Sequence, residues 1–154
     1  MLWRGGCGAT RERVGVEVAY FAYGSNMWSE QMAARCPGVT RPTAACLRGW
    51  RLVINERGVA TIVLDSLAEV HGVVWRVTDE HLATLDRLEG VGEGRYDRTS
   101  VDVTVGEDAT VRAEVYVDPR CTPGPARVGY RERLISGAVE HGLPDAYRAF
   151  LDDA

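Results

Sequence analysis

From Glu17 to Phe21 the run EVAYF gathers apolar and β-favouring residues into what reads as a short buried strand, and the Gly24-Ser25-Asn26 cluster ends it in a turn. Ser29 stands where a helix N-cap would, so Glu30 to Arg35 are predicted helical, closed by Cys36-Pro37-Gly38. Three further strands are predicted at Gly49 to Asn55, Ala60 to Leu64 and Glu69 to Val77, separated by the turn residues Arg57-Gly58 and Asp65-Ser66. Thr78 then offers a cap, Asp79 and Glu80 suit the positive end of a helix dipole, and Gly90 is a natural stop. Past Tyr96, valines at 101, 103 and 105 and then at 111, 115 and 117 alternate with polar residues, which predicts a hairpin across Gly106-Glu107-Asp108. The segment PRCTPGP places three prolines in seven residues and must be a loop. A helix from Val128 to Glu140 is predicted next, closed by His141-Gly142. Pro144 can open a last one, with Tyr147, Phe150 and Leu151 on one side.

Strands dominate the middle and helices are inserted singly, which predicts an α+β fold with a mixed, barrel-like β-sheet rather than a doubly wound parallel one. With 154 residues and 45% hydrophobic content the chain is expected to form one domain, 15–154, and the aperiodic stretch 1–14 reads as an N-terminal extension. There is no lysine: all 18 cationic side chains are arginine, so Schiff-base and P-loop lysine chemistry are excluded. A net charge of -4 without long runs of one sign argues against nucleic acid as a partner. Cys7, Cys36, Cys46 and Cys121 show no zinc-ligand spacing and read as reduced thiols, so no metal is expected. The apolar run Val18 to Tyr23 is too short for a signal peptide or a membrane span, which makes a cytoplasmic location, with no membrane partner, the expectation.

Glu89 is the first candidate for chemistry. At about 100° per residue, Leu82, Leu85 and Leu88 mark the apolar face of their helix, and Glu89 falls between Leu82 and Leu85 on it. An inward carboxylate needs a partner or a raised pKa; the alternative is that the helix frays at Gly90 and the side chain reaches solvent. The loop Tyr23-Gly24-Ser25-Asn26-Met27 is the second: a glycine turn between strand and helix is either plain structure or a nest of N–H groups for an oxygen. Ser25 lacks the second glycine of a nucleophile elbow, and no motif ties His71, His81 or His141 to it or to one another as ligands. Tyr23, Tyr96, Tyr116 and Tyr130 each fall near an element edge, where a hydroxyl can face a polar cavity.

Together these residues resemble the γ-glutamylcyclotransferase family, through YFAYGSNM at 20–27, EVHGVVWRV at 69–77, LDRLEGVGEGRY at 85–96 and GLPDAY at 142–147. The resemblance runs from about residue 18 to 152. It implies a barrel-like sheet around a small cavity, with the loop residues Tyr23, Gly24, Ser25, Asn26 and Met27 binding a γ-glutamyl group. It also implies Glu89 as the acid/base and Tyr96, Tyr116 and Tyr130 as substrate contacts. The implied reaction is attack of the substrate's own α-amine on its γ-carbonyl, giving 5-oxoproline and a free amine or amino acid, with no cofactor. N–H groups of residues 24–27 would hold the oxyanion, and the tyrosine hydroxyls would fix the α-carboxylate. Other readings are removal of a γ-glutamyl protecting group from a biosynthetic intermediate such as an aminoglycoside side chain, or a non-catalytic small-ligand-binding member of the fold. The leaving group, the acceptance of glutathione and the formation of a homodimer stay open.

Overall fold

The computed structural model describes residues 16–154; the expected extension over 1–14, and Cys7 with it, lie outside them. Strand β1 (Val18–Ala22) leads through a 3-10 turn, Ser25–Met27, into helix α1 (Ser29–Arg35). Two long strands follow, β2 (Thr40–Ile54) and β3 (Ala60–Val77), then helix α2 (Asp79–Leu88) and a 3-10 turn at Val91–Glu93. The hairpin β4 (Asp97–Val105) and β5 (Ala109–Val117), helix α3 (Tyr130–Glu140) and helix α4 (Asp145–Asp153) complete the chain. The strands close a barrel in the order β1-β3-β2-β4-β5. Every pairing is antiparallel except the closing one, in which β1 meets β5 in parallel at Tyr20 and Glu114.

Burial follows the pleat. Ala113 and Val115 of β5 and Val101 and Val103 of β4 point to one side of the sheet, where they join Phe21, Ile62, Val70, Leu85 and Leu134 in the core. The α+β barrel, the β4–β5 hairpin and the turn at Arg57-Gly58 are as predicted. So is the start of α2: the Thr78 hydroxyl accepts from the His81 N–H at 3.2 Å while His81 Nδ1 accepts from the Thr78 N–H at 3.3 Å. That is a capping box with histidine in the place usually held by glutamate.

Two expectations are corrected. The predicted strands at Ala60 to Leu64 and Glu69 to Val77 are one strand, and β2 begins at Thr40, well before Gly49. Between the pairs Arg48↔Glu69 and Trp50↔Leu64 the register jumps, so that Gly49, at φ +87°, faces the stretch 65–68 across a bulge. The turn chemistry of Asp65 is real, since its carboxylate accepts from the Leu67 N–H at 3.0 Å, but it shapes the bulge instead of reversing the chain. The other correction concerns α2 itself: Leu88 is 42% exposed, leaving Leu82 and Leu85 to anchor the helix.

Candidate active site

The turn after β1 is held from four sides. Trp75 on β3 donates its indole N–H to the Asn26 carbonyl at 3.0 Å, and His141 Nε2 donates to the Met27 carbonyl at 2.9 Å. Glu140 accepts from the Ser29 N–H at 2.9 Å. Helix α3 comes this close because residue 137 is glycine: a Cβ there would stand 2.6 Å from Met27 Cβ and 2.9 Å from the Trp28 nitrogen. Gly24 is required for a related reason, a Cβ at that position falling 2.9 Å from the Tyr130 hydroxyl.

Asn26, 4% exposed, organises the centre. Its side-chain oxygen accepts from Gln31 at 3.0 Å and Arg35 at 3.1 Å; its amide donates to the Tyr20 hydroxyl at 3.0 Å and reaches Glu89 Oε1 at 3.4 Å. Glu89 does not fray. Its N–H bonds the Leu85 carbonyl at 2.8 Å, and the following Gly90, at φ +68°, turns the chain away where a Cβ would strike the Arg95 guanidinium. The carboxylate, 18% exposed, lies 3.6 Å from Arg35. Burial raises its pKa above the usual carboxylate range, against the pull of Arg35, Arg57 and Arg95. An inward, partly desolvated carboxylate is what the helix periodicity predicted.

Glu89, Tyr23, Gly24, Ser25, Asn26, Tyr96, Tyr116 and Tyr130 line one cavity of about 200 Å³, the scale of a small metabolite rather than a drug-sized ligand. Met27 is not among them: it is fully buried under α3, and its N–H is spent on the Gly24 carbonyl at 3.1 Å. The N–H groups left free are therefore earlier in the turn. No acceptor among the described residues takes the Gly24 or Asn26 N–H. Ser25 has no histidine beside it, its hydroxyl accepting from Gln31 at 2.7 Å.

The tyrosines differ from expectation in the direction of their hydrogen bonds. Tyr23 donates to the Tyr116 carbonyl, Tyr96 to the Ala60 carbonyl at 2.9 Å, and Tyr116 to Asp86 at 2.7 Å. These three protons are committed, so toward the cavity the oxygens offer lone pairs, which suit an ammonium better than a carboxylate. Tyr130 is the reverse: its oxygen accepts from the Ala60 N–H at 3.0 Å, leaving its proton free, and burial pushes its pKa up to about 12.

Four cations that belong to none of the sequence motifs complete the lining: Arg35, Arg57, Arg127 and Arg133. Arg57 pairs with the buried Asp118 and lies 5.6 Å above the Tyr96 ring. Arg127 donates to the Arg57 carbonyl at 2.7 Å. Arg133 packs 5.7 Å from the Tyr130 ring, and its buried Nε has no partner among the described residues. The absence of lysine was a hint in the sequence, but nothing in the spacing tells which of 18 arginines converge.

The family model described as "Gamma-glutamyl cyclotransferase, AIG2-like" matches residues 20–132. Gamma-glutamylcyclotransferase of Bos taurus is 31% identical over 157 residues, spanning 96% of this chain and 84% of that protein. The Homo sapiens protein of the same name is 32% identical over 142 residues, 86% of this chain and 76% of that one. A solved structure described as "Gamma-glutamyl cyclotransferase" superposes with a TM-score of 0.84 at 30% identity, covering 89% of this chain and 87% of its own. A yeast gamma glutamyl cyclotransferase described as specific to glutathione shares the fold at a TM-score of 0.60 and 13% identity.

Proposed function

The chain belongs to the gamma-glutamyl cyclotransferase, AIG2-like family, and from that premise we propose how its own residues carry out the reaction. The activity is that of a γ-glutamylcyclotransferase, which cyclises the γ-glutamyl group of a small-molecule substrate to 5-oxoproline and releases the free amine. The observation that carries the assignment of residues is Glu89, a carboxylate turned into the cavity, aimed by Asn26 and Arg35 and raised by burial.

The substrate's α-ammonium sits against Glu89 and the tyrosine oxygens of Tyr23, Tyr96 and Tyr116. Glu89 takes one proton and frees the nitrogen lone pair. An ordinary carboxylate near 4.3 stands about 4 pK units below an α-amine near 8, a gap of roughly 5 kcal/mol, and the raised pKa of Glu89 narrows it. The amine attacks the γ-carbonyl carbon, closing a five-membered ring, and the oxygen becomes an oxyanion near the Gly24 and Asn26 N–H groups and the Tyr130 hydroxyl. Each well-placed donor is worth on the order of 3 kcal/mol. Collapse breaks the γ-amide C–N bond as Glu89 hands its first proton to the departing nitrogen; the ring nitrogen then gives its second proton to the regenerated carboxylate, which passes it to the released amine, a dual role worth about 10²- to 10⁴-fold. No enzyme nucleophile takes part.

The substrate's carboxylates go to the arginines rather than to the tyrosine hydroxyls. The surplus of guanidinium groups, with Arg133 Nε unpartnered, favours an amino acid as leaving group and works against a polycationic one such as an aminoglycoside. Cys36, Cys46 and Cys121 are unpaired thiols, in keeping with a reducing, cytoplasmic setting, and no described helix is long and apolar enough to cross a membrane.

The test is 5-oxoproline release by mass spectrometry from wild type and Glu89→Gln, offered γ-glutamyl amino acids, γ-glutamyl amines and glutathione. Product from wild type alone, with amino-acid leaving groups ahead of amines, is the expected result. A near-normal rate in the variant overturns the role of Glu89, and a preference for cationic leaving groups overturns that of the arginines.

A further inference from the structure

On the outer face of the barrel, Cys46 of β2 is paired directly across from His71 of β3, and Glu69, two residues before His71, points the same way. Their ligand atoms all lie within 4.8 Å of one another, and Glu69 Oε1 is 3.0 Å from His71 Nε2. From this cluster we propose that Cys46, Glu69 and His71 form a binding site for a divalent metal of borderline softness, zinc foremost.

The chemistry of the set supports zinc. One thiolate and one carboxylate balance the charge of a divalent ion, and a thiolate with an imidazole selects zinc over magnesium or calcium. Ligand atoms around tetrahedral zinc stand about 3.3 to 3.6 Å apart, so small side-chain adjustments close the present spacing onto an ion. His71 is held in place by the Tyr147 ring of α4, whose centroid is 4.9 Å away. The three residues line a depression of about 350 Å³ that shares no lining residue with the catalytic cavity. Glu107, in the β4–β5 turn, lines the same depression, and the fourth position falls to water. The Arg48 guanidinium, 3.9 Å from Glu69 and largely exposed, competes with the metal for that carboxylate. Burial and the neighbouring Glu69 push the Cys46 thiol up to about 11, so it is no free nucleophile, and metal enters by displacing its proton. Spacing along the sequence could not show this set, because the donors meet through strand register rather than within one motif.

The probe is cobalt(II) titrated into the chelator-treated full chain. The expected result is a thiolate-to-cobalt charge-transfer band saturating at one ion per chain and abolished by one equivalent of zinc. Cys46→Ser removes the band, His71→Ala weakens affinity at least tenfold, Arg48→Ala tightens it severalfold, and Cys121→Ser changes nothing. Thermal melts of each variant without metal separate lost ligation from lost folding. No thiolate band in the wild type, a band that persists in Cys46→Ser, or one lost in Cys121→Ser overturns the proposal.

Discussion

Asp118 and Glu89, one carboxylate buried and the other half-buried, are served by one shared cation, and the protein treats them in opposite ways. Asp118, whose side chain is fully buried, accepts from Asn55 at 3.0 Å, the Arg120 N–H at 3.0 Å, the Arg120 guanidinium at 2.5 Å, and Arg57. Burial works to raise its pKa, but these hydrogen bonds outweigh it and hold Asp118 below its ordinary value. Among the described residues Glu89 has no polar partner closer than Asn26 at 3.4 Å and Arg35 at 3.6 Å, and burial wins. A saturated carboxylate has no lone pair left for a substrate and serves the fold. An under-served one keeps its basicity, which is what the role proposed for Glu89 requires.

Removing each charge in turn gives the largest contrast. Asp118→Asn leaves Arg57 and Arg120 without a buried counter-charge and is expected to cost about 3 kcal/mol in urea unfolding, whereas Glu89→Gln keeps wild-type stability or exceeds it at pH 7. Arg57 touches both regions. Arg57→Ala is expected to cost about 1 to 2 kcal/mol by loosening Asp118, and at the same time to raise the Glu89 pKa, seen as an acid limb of kcat/KM moved to higher pH. Arg35→Ala moves that limb in the same direction with little loss of stability, since its guanidinium is 32% exposed.

The pH dependence of unfolding carries opposite signs for the two groups. Asp118 has a folded pKa below its ordinary 3.8, so the stability it contributes is present above 3.8 and is lost as pH falls toward the folded value. Glu89 has a folded pKa above its ordinary 4.5, so its ionisation withdraws stability as pH rises from 4.5 through the folded value. Unfolding measured across that range should show the second slope vanish in Glu89→Gln alone. The smallest expected effect lies away from both groups: Thr78→Ala should lower stability by about 1 kcal/mol through the lost cap, with turnover unchanged.

Local chemistry was the legible part of this sequence. The cap at Thr78, the β4–β5 hairpin, the stop at Gly90 and the inward Glu89 each rest on residues close together in the chain, and each stands in the structure. Continuity of β3 was not legible, because Leu64 and Leu67 are exposed where the strand bulges and the apolar period breaks. The tyrosines stood out by their places near element edges and by the resemblance to a family, but the sequence says nothing of where a hydroxyl proton points. That direction is set by the carbonyls of Tyr116 and Ala60 and the carboxylate of Asp86, all far from their donors in sequence. The convergence of Arg35, Arg57, Arg127 and Arg133 was hidden for the same reason.

The clamp on the Ser25–Met27 turn also sets an order in time. Its anchors are Trp75, Gly137, Glu140 and His141, and the strand that leads into it is sealed on its far edge by β5. His141 lies 114 residues after the carbonyl it holds. During synthesis, Glu89 emerges well before the helix that fixes the turn opposite it, and such distant pairings form late because of the loops they must close. On the roles proposed above, a nascent chain carries Glu89 long before it has a fixed Ser25–Met27 turn to set against it, so the site is completed in one step, with the folding of α3.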